Sequence, residues 1–152
     1  MLERVEESGP PISELEVRRF EREHDVVLPS DYRAFLLRHN GGRPIPADFM
    51  LTLENEPLHW RVHFFFGLND PEESCCLRWN YAITSATRPA GTLPIAGDEA
   101  GNMLYLRWDE PDQGSVHFGA TPSEGRRVRL VRICGSFSQF LDRLHHVEPQ
   151  GQ

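Results

Sequence analysis

The sequence predicts an α+β fold, in which an antiparallel meander sheet is flanked by about four helices. Two segments with helical start signals lie before residue 44, and from residue 48 onward apolar and polar residues alternate in short runs, which is the period of a strand. Between Met103 and Ile133 turns separate these runs and no helical segment intervenes, so we expect consecutive strands to pair antiparallel. A last helical segment follows Ser136.

The first helix is predicted to begin after Ser13. The Ser13 hydroxyl can accept a hydrogen bond from the amide of Glu16, whose side chain can return a bond to the Ser13 amide, and this pair forms a capping box. We expect the helix to run to about His24, with Leu15 and Phe20 among its buried residues.

The second helix is predicted over residues 31–39, with Ser30 as its N-cap. Gly41 and Gly42 end it, since glycine adopts the left-handed conformation that stops a helix. Its apolar stripe consists of Tyr32, Phe35 and Leu36.

The rest of the chain alternates strands with turns, apart from two further helices. The segment that starts at Asp70-Pro71 has a capping acid followed by proline, which predicts a third helix to about Thr84, and Ser136 caps a fourth. We expect a single domain over residues 1–152, with a core at about 12–145 and frayed tails. The predicted strands cover residues 48–54, 60–67, 93–95, 103–108, 115–118 and 126–133, and the predicted tails are 1–8 and 148–152.

The charge of the chain is unevenly distributed. The 152 residues include 16 arginines, no lysine and 23 acidic side chains, for a formal net charge of −7. Residues 44–112 carry 11 acids against four arginines, which accounts for the whole excess, whereas residues 113–152 are slightly basic. Two interpretations stay open: a solvated surface that keeps the protein soluble, or a docking face for a basic partner.

Composition excludes several classes of protein. A net negative charge argues against direct binding to nucleic acid, which needs a basic face. The longest apolar runs are triplets such as Phe64–Phe66, far shorter than the roughly 20 residues that span a bilayer. The acidic N-terminal segment lacks a signal-peptide pattern, and three cysteines, two of them adjacent, fit a reducing cytoplasm. We therefore expect a cytoplasmic protein that binds no membrane.

The sequence predicts no catalytic residues, no metal-binding residues and no cofactor. His59 and His63 would lie about 13 Å apart on a strand, too far to share one metal ion, even with His117 nearby. The cysteines lack a positioned base. The Asp98–Asn102 segment lacks the alternating acids of a calcium loop and is predicted to be a structural turn. A hydrolase that holds a metal on this segment remains an alternative.

Three segments carry a resemblance to a known family. They are Leu28-Pro29-Ser30-Asp31-Tyr32-Arg33-Ala34-Phe35-Leu36 with Asn40-Gly41-Gly42; Leu93-Pro94-Ile95-Ala96-Gly97-Asp98 with Gly101-Asn102; and Ser115-Val116-His117-Phe118 with Ser136-Phe137-Ser138-Gln139-Phe140-Leu141. In this order and spacing, over about residues 12–145, they resemble the SUKH superfamily in its Smi/Knr-like branch: the second-helix signature, the central strand-turn-strand motif, and the closing strand and helix.

The resemblance implies an α+β fold and no catalysis. The superfamily includes a fungal cell-wall assembly regulator and, mostly, bacterial proteins held to be immunity proteins of contact-dependent and other polymorphic toxin systems. Such proteins bind a cognate toxin domain, often a nuclease, and block it. The recurrent residues that match here look structural; they are Leu28, Pro29, Tyr32, Gly41, Gly42, Pro94, Asp98, Gly101 and Asn102.

We therefore expect a non-enzymatic immunity protein that is a monomer or weak dimer and binds a basic toxin domain, such as a nuclease. The alternative is an intracellular regulatory scaffold with a housekeeping partner. Trp60 and Trp108 are candidate aromatic anchors for the partner, and half-buried packing on the sheet is the competing interpretation for both. The candidate partner-binding residues are Glu72, Glu73, Asp98, Glu99, Asp109, Glu110, Asp112, Trp60 and Trp108.

Overall fold

The computed structural model describes residues 1–147 and confirms the predicted α+β class. None of the helices in this range is long and apolar enough to cross a membrane. The helices are α1 (Glu14–His24), α2 (Ser30–Arg38), α3 (Leu77–Ile83) and α4 (Phe137–Arg143). The strands are β1 (Arg4–Glu6), β2 (Arg43–Ile45), β3 (Asp48–Leu53), β4 (Glu56–Arg61), β5 (Phe64–Phe65), β6 (Thr92–Gly97), β7 (Met103–Arg107), β8 (Val116–Gly119) and β9 (Leu130–Cys134).

Strands β5 to β9 form a five-stranded sheet in sequence order, with every neighbouring pair antiparallel. This is the predicted meander. Two separate antiparallel pairs lie beside it, β1 with β2 and β3 with β4. Because β1 pairs with β2, the prediction of a frayed tail over residues 1–8 is wrong. Residues 148–152, the other predicted tail, lie outside the described residues.

Helix α1 begins with the predicted capping box, since Ser13 and Glu16 exchange both hydrogen bonds. Phe20 is buried as expected, together with Val17, but Leu15 is 65% exposed and its predicted burial is wrong. Leu15 precedes Val17 by two residues, which places it about 200° around the helix from the buried stripe.

The start of α2 differs from the prediction in its capping group. Ser30 is the first helical residue and makes no side-chain cap. Asp31 instead accepts a hydrogen bond from the Tyr32 amide at 2.8 Å and one from the Ser138 amide of α4 at 3.0 Å. The carboxylate therefore joins the starts of two helices that are far apart in sequence.

The predicted third helix is interrupted at Cys76. A short 3₁₀ turn at Glu73–Cys75 precedes α3, and Cys76 between them is extended. Gly67 donates to the Cys75 carbonyl at 2.8 Å, and Leu77 donates to the Gly67 carbonyl at 2.9 Å. A long-range strand-like bridge thus takes the backbone groups that a continuous helix would have used.

The predicted strand over residues 60–67 is divided into the end of β4 and the short β5. Glu54 and Asn55 both have positive φ, at 52° and 67°, and form a tight turn that folds β3 onto β4. The predicted strand over residues 126–133 is also shorter, since β9 begins at Leu130.

The core is formed by buried residues of the meander sheet, of the β3–β4 pair and of all four helices. Its centre is a group of three phenylalanine rings from α2, β5 and α4, namely Phe35, Phe65 and Phe137, whose centroids are 5.0–5.7 Å apart. Edge-on packing of this kind contributes about 0.5–1.5 kcal/mol per pair beyond burial of area.

Asn40, just after α2, joins segments that no sheet ladder connects. Its side-chain amide donates to the carbonyls of Pro10 at 2.8 Å and Leu68 at 2.9 Å, and its side-chain oxygen accepts from the Leu68 amide at 2.7 Å. Its own carbonyl accepts from the Gly9 amide at 2.9 Å. Buried Asn40 therefore satisfies four main-chain groups of the N-terminal segment and of the segment that follows β5.

The neighbouring Gly41 is required by both conformation and space. Its φ is +72°, and a Cβ there would lie 2.5 Å from the Gly67 nitrogen. Any side chain would push the two segments held by Asn40 apart.

We predict that Asn40→Ala lowers the free energy of unfolding by about 2–4 kcal/mol, because it leaves buried main-chain groups without partners. Urea denaturation followed by circular dichroism measures this. The exposed Gln113→Ala is the control and should change stability by less than about 0.5 kcal/mol. Equal stability of the two variants would contradict the role assigned to Asn40.

Candidate functional site

The candidate acidic residues lie at two opposite ends of the meander sheet. Gly97 pairs with Met103 and Thr92 pairs with Arg107, so the Asp98–Glu99 turn and the 109–112 loop stand at opposite ends of the β6–β7 pair. Five residue steps of strand separate the ends by about 16 Å. The acids of residues 44–112 therefore do not form one continuous cluster.

At the 109–112 end, arginines neutralise two of the three acids. Arg107 lies 3.0 Å from Asp109, and Arg132 donates to Asp112 at 2.9 Å. The hydrogen bond from Arg132 holds the pKa of the Asp112 carboxyl below its ordinary value. Glu110 between them is exposed.

At the other end, Asp98 organises the β6–β7 turn. One carboxylate oxygen accepts from the Ala100 amide at 2.8 Å and the Asn102 amide at 2.9 Å, and the other accepts from the Asn102 side chain at 2.8 Å and the Trp60 indole at 2.7 Å. Burial disfavours the charged carboxylate, but these hydrogen bonds outweigh it and lower the pKa of Asp98. All four accepting positions are occupied, so the carboxylate has no free lone pair for a metal ion.

Three adjoining grooves surround His63 at this end of the sheet. The first, of about 410 Å³, lies between the end of β4 and the Asp98–Ala100 turn. The second, of about 300 Å³, continues past Phe64 to Cys75, and the third, of about 380 Å³, reaches Asp70 and the segment around it. His63 lines all three.

The grooves bring together acids from three separate segments. We call this surface the acidic face; it consists of Glu7, Asp70, Glu72, Asp98 and Glu99 around His63 and Phe64. Within residues 1–147 no arginine forms an ion pair with any of these five carboxylates, and Glu99 has only His63, at 3.6 Å. Glu73 is exposed at the start of the 3₁₀ turn and does not line these grooves.

Neither candidate tryptophan is among the exposed side chains. Trp60 is 6% exposed and packs edge-on against Phe118, with centroids 5.3 Å apart. Trp108 is partly buried against the core. The exposed tryptophan is Trp79, at 43%, which shares the outward side of α3 with Ile83. Trp79 and Ile83 are four residues apart, which is the spacing of side chains on one face of a helix. This spacing is the sequence signal that could have identified the pair.

A serine, a histidine and an aspartate meet near the 109–112 loop but lack the geometry of a catalytic triad. The Ser115 hydroxyl lies 2.8 Å from Nε2 of His117, and Asp112 approaches the same nitrogen at 4.0 Å. A triad needs the carboxylate on the other ring nitrogen. Ser115 is also 1% exposed and donates its proton to the Asp112 carbonyl at 2.7 Å.

The histidines considered as metal ligands are placed differently. His59 lies 2.9 Å from the buried Asp48, whereas His63 faces Glu99. His117 lies in the β8 strand beside Ser115. Among the residues that the structure describes, no group of three or more histidine, cysteine, aspartate or glutamate side chains is arranged to hold a metal ion.

Comparison with known proteins identifies one family. The family described as SMI1 / KNR4 family (SUKH-1) matches residues 11–143, which is most of the chain. No curated protein is significantly similar to the chain. The matched range includes α1 to α4, the whole meander sheet and four of the five carboxylates of the acidic face, Glu7 being the exception.

We predict that Asp98→Ala lowers the free energy of unfolding by about 1–2 kcal/mol, because the Trp60 indole and two turn amides lose their acceptor. The neighbouring Glu99→Ala should cost less than about 0.5 kcal/mol, since its side chain is exposed. Urea denaturation of the two variants, followed by tryptophan fluorescence, makes the comparison. A larger loss for Glu99→Ala would contradict the assigned roles.

We predict that stability falls as the pH is lowered from about 7.5 to 5.5. Burial lowers the pKa of His24, His39 and His117 below the ordinary value of 6.5, and Arg107 and Arg132 add to the effect at His117 while Asp112 opposes it. The unfolded chain therefore binds more protons than the folded chain in this range. The contribution is fully present above pH 6.5 and is lost as the pH falls through the folded pKa values.

Urea denaturation at a series of pH values measures this dependence. His117→Gln should make it shallower, because one of the three contributing groups no longer titrates. An unchanged slope would show that His117 contributes nothing to it.

Proposed function

Because the chain belongs to the SMI1 / KNR4 family (SUKH-1), we propose that it is a non-enzymatic immunity protein. It binds a cognate toxin domain that carries a basic surface, such as a nuclease, and blocks it in the cytoplasm. The observation that carries this proposal is the acidic face, where five carboxylates from separate segments line adjoining grooves without an arginine partner in the described part of the chain.

A nuclease is the partner class that fits this surface best on chemical grounds. An enzyme that acts on nucleic acid needs cationic side chains along the path of the phosphates. Carboxylates spread over a grooved face can occupy those cationic positions and compete with the nucleic acid. Complementary charge also accelerates encounter, which matters for an inhibitor that must act before the toxin does.

Pairing favours the acidic face over the 109–112 end as the docking surface. Asp109 and Asp112 already have arginine partners, so a basic toxin would have to compete with Arg107 and Arg132. Glu99 and Glu72, by contrast, have no such competitor among residues 1–147. Each carboxylate of the acidic face therefore attracts a basic partner more strongly than Asp109 or Asp112 does.

The aromatic side chains contribute in different ways. Phe64 lines two of the grooves and offers a partly exposed ring at the centre of the acidic face. Trp60 acts from beneath by holding Asp98 in place rather than by contacting the partner. We assign Trp108 to packing.

We predict that reversing two charges of the acidic face, in the double variant Glu72→Arg and Glu99→Arg, slows association with the toxin domain at least about ten-fold and weakens its salt dependence. The partner to be used is the product of the gene adjacent to this one. Surface plasmon resonance at several salt concentrations measures the association rate, and co-expression measures protection of growth.

The matched control is Glu110→Arg with Glu124→Arg, which changes the net charge equally at exposed positions that line none of the three grooves. It should alter the association rate by less than about two-fold. If the control is slowed as much as the test variant, the docking surface is misplaced. If the adjacent gene product does not bind and a housekeeping protein does, the alternative of a regulatory scaffold replaces this proposal.

A further inference from the structure

Strand β4 has one edge that the rest of the described chain leaves uncovered. Its inner edge pairs with β3 along its whole length. Val62, next in the chain, donates to Ala47, the residue before β3, so residue 62 occupies a hydrogen-bonded pair at the end of this ladder. Because such pairs alternate along an antiparallel ladder, the backbone groups of Arg61 and His59 point away from β3.

The same alternation continues into the meander sheet. The amide of His63, two residues after Arg61, donates to the Gly97 carbonyl of β6 at 3.0 Å. The outer edge of β4 is therefore a prolongation of the β5 edge that pairs with β6. Strand β6 would cover this edge if it continued in the direction opposite to β4.

Strand β6 does not continue, because the chain turns away at Asp98. The carboxylate of Asp98 draws the amides of Ala100 and Asn102 back into a tight turn, and the Trp60 indole holds that carboxylate. The 410 Å³ groove lies in the space so left, between residues 59–61 of β4 and residues 98–100 of the turn. It is a shallow, open groove, which we call the slot, with backbone hydrogen-bonding groups of β4 along one side and the carboxylates of the turn along the other.

The charge of the slot selects a cationic occupant. Arg61 is paired with Asp48 at 3.1 Å, so these two charges cancel. On the opposite wall Asp98 contributes its negative charge, although its accepting positions are filled within the chain, and the exposed Glu99 is the carboxylate that can bind a basic side chain directly. At the far end Pro57 has no amide proton, so the edge offers donors only at His59 and Arg61.

We infer that an extended segment of the partner binds in this slot as an added strand on β4, with an arginine or lysine side chain directed at Glu99. This deepens the proposed function and rests on it, because the segment belongs to the cationic toxin domain. Main-chain hydrogen bonds to His59 and Arg61 give affinity, and the carboxylate wall selects basic side chains. The groove is short, so the added strand spans only the few residues between the level of Gly97 and that of Pro57.

The experiment uses a short, end-blocked peptide of alternating threonine and arginine as the probe. Titration is followed by the backbone amide signals of the intact protein in NMR spectra. We expect the amides of His59 and Arg61 to shift on binding and their hydrogen exchange to slow at least ten-fold, since both gain acceptors. No binding up to millimolar peptide overturns the inference.

Backbone methylation of the probe separates strand addition from charge attraction. Two peptides with the same arginines are methylated on alternate backbone nitrogens, one in each frame, so that each lacks donors along one edge. An added strand uses one edge only, so one peptide should lose more than ten-fold in affinity and the other should keep it. Equal affinities of the two peptides overturn strand addition, while the charge-based function can still stand.

A substitution in β4 tests strand addition on the protein instead of on the peptide. His59→Pro removes an outward amide without breaking the pairing with β3, and it should abolish binding of the probe, whereas His59→Ala should retain it. Met50→Pro is the matched control, because Met50 is the cross-strand neighbour of His59 and its amide points to the opposite edge of the hairpin. Unchanged affinity of a folded His59→Pro variant contradicts the inference, and the methylated peptides decide the matter on the unmodified protein if the variant does not fold.

A failure of the proposed function has a different signature. In that case Glu72→Arg with Glu99→Arg leaves association with the toxin domain unchanged, whatever the methylated peptides do.

Discussion

Asn40 holds together two segments of the chain that no ladder of backbone hydrogen bonds connects. Its side chain satisfies both backbone groups of Leu68 and the carbonyl of Pro10, and Gly41 beside it lets the backbones approach within contact. The segment after β5 is thereby fixed against the N-terminal segment. Since Glu7 lies in the N-terminal segment and Asp70 in the segment after β5, the same buried amide also determines that their carboxylates face one groove. The proposed docking surface therefore depends on a buried polar group.

The Asp98 turn has a comparable double role at the other end of that surface. It ends β6, it is held by the indole of Trp60, and it thereby leaves the outer edge of β4 open beside a wall of carboxylates. A longer β6 would have covered the edge and buried the backbone groups of His59 and Arg61. Asp98 thus stabilises the fold through four internal hydrogen bonds and also lines a groove of the proposed docking surface.

Much of the fold could be predicted from local signals. The capping box of Ser13 with Glu16, the N-cap of Ser136 and the alternation from Met103 onward each act over a few residues, so they survive in the folded protein. The failures have long-range causes. Cys76 is extended because Gly67 takes its neighbours' hydrogen bonds, and β1 is ordered because β2 lies beside it. No residue within either segment carries that information.

For the candidate site, the sequence by itself determined the net charge, the confinement of the acidic excess to residues 44–112, the Asp98 turn and the family resemblance. Only the tertiary structure decided which acids lie together on one face. The strand register sends Glu99 and Asp109 to opposite ends of the sheet, and the packing gives Asp109 an arginine and leaves Glu99 none in the described chain. The physical reason is that charge is a property of each residue, whereas pairing and convergence are properties of distance, and distance is set by contacts between segments far apart in the sequence.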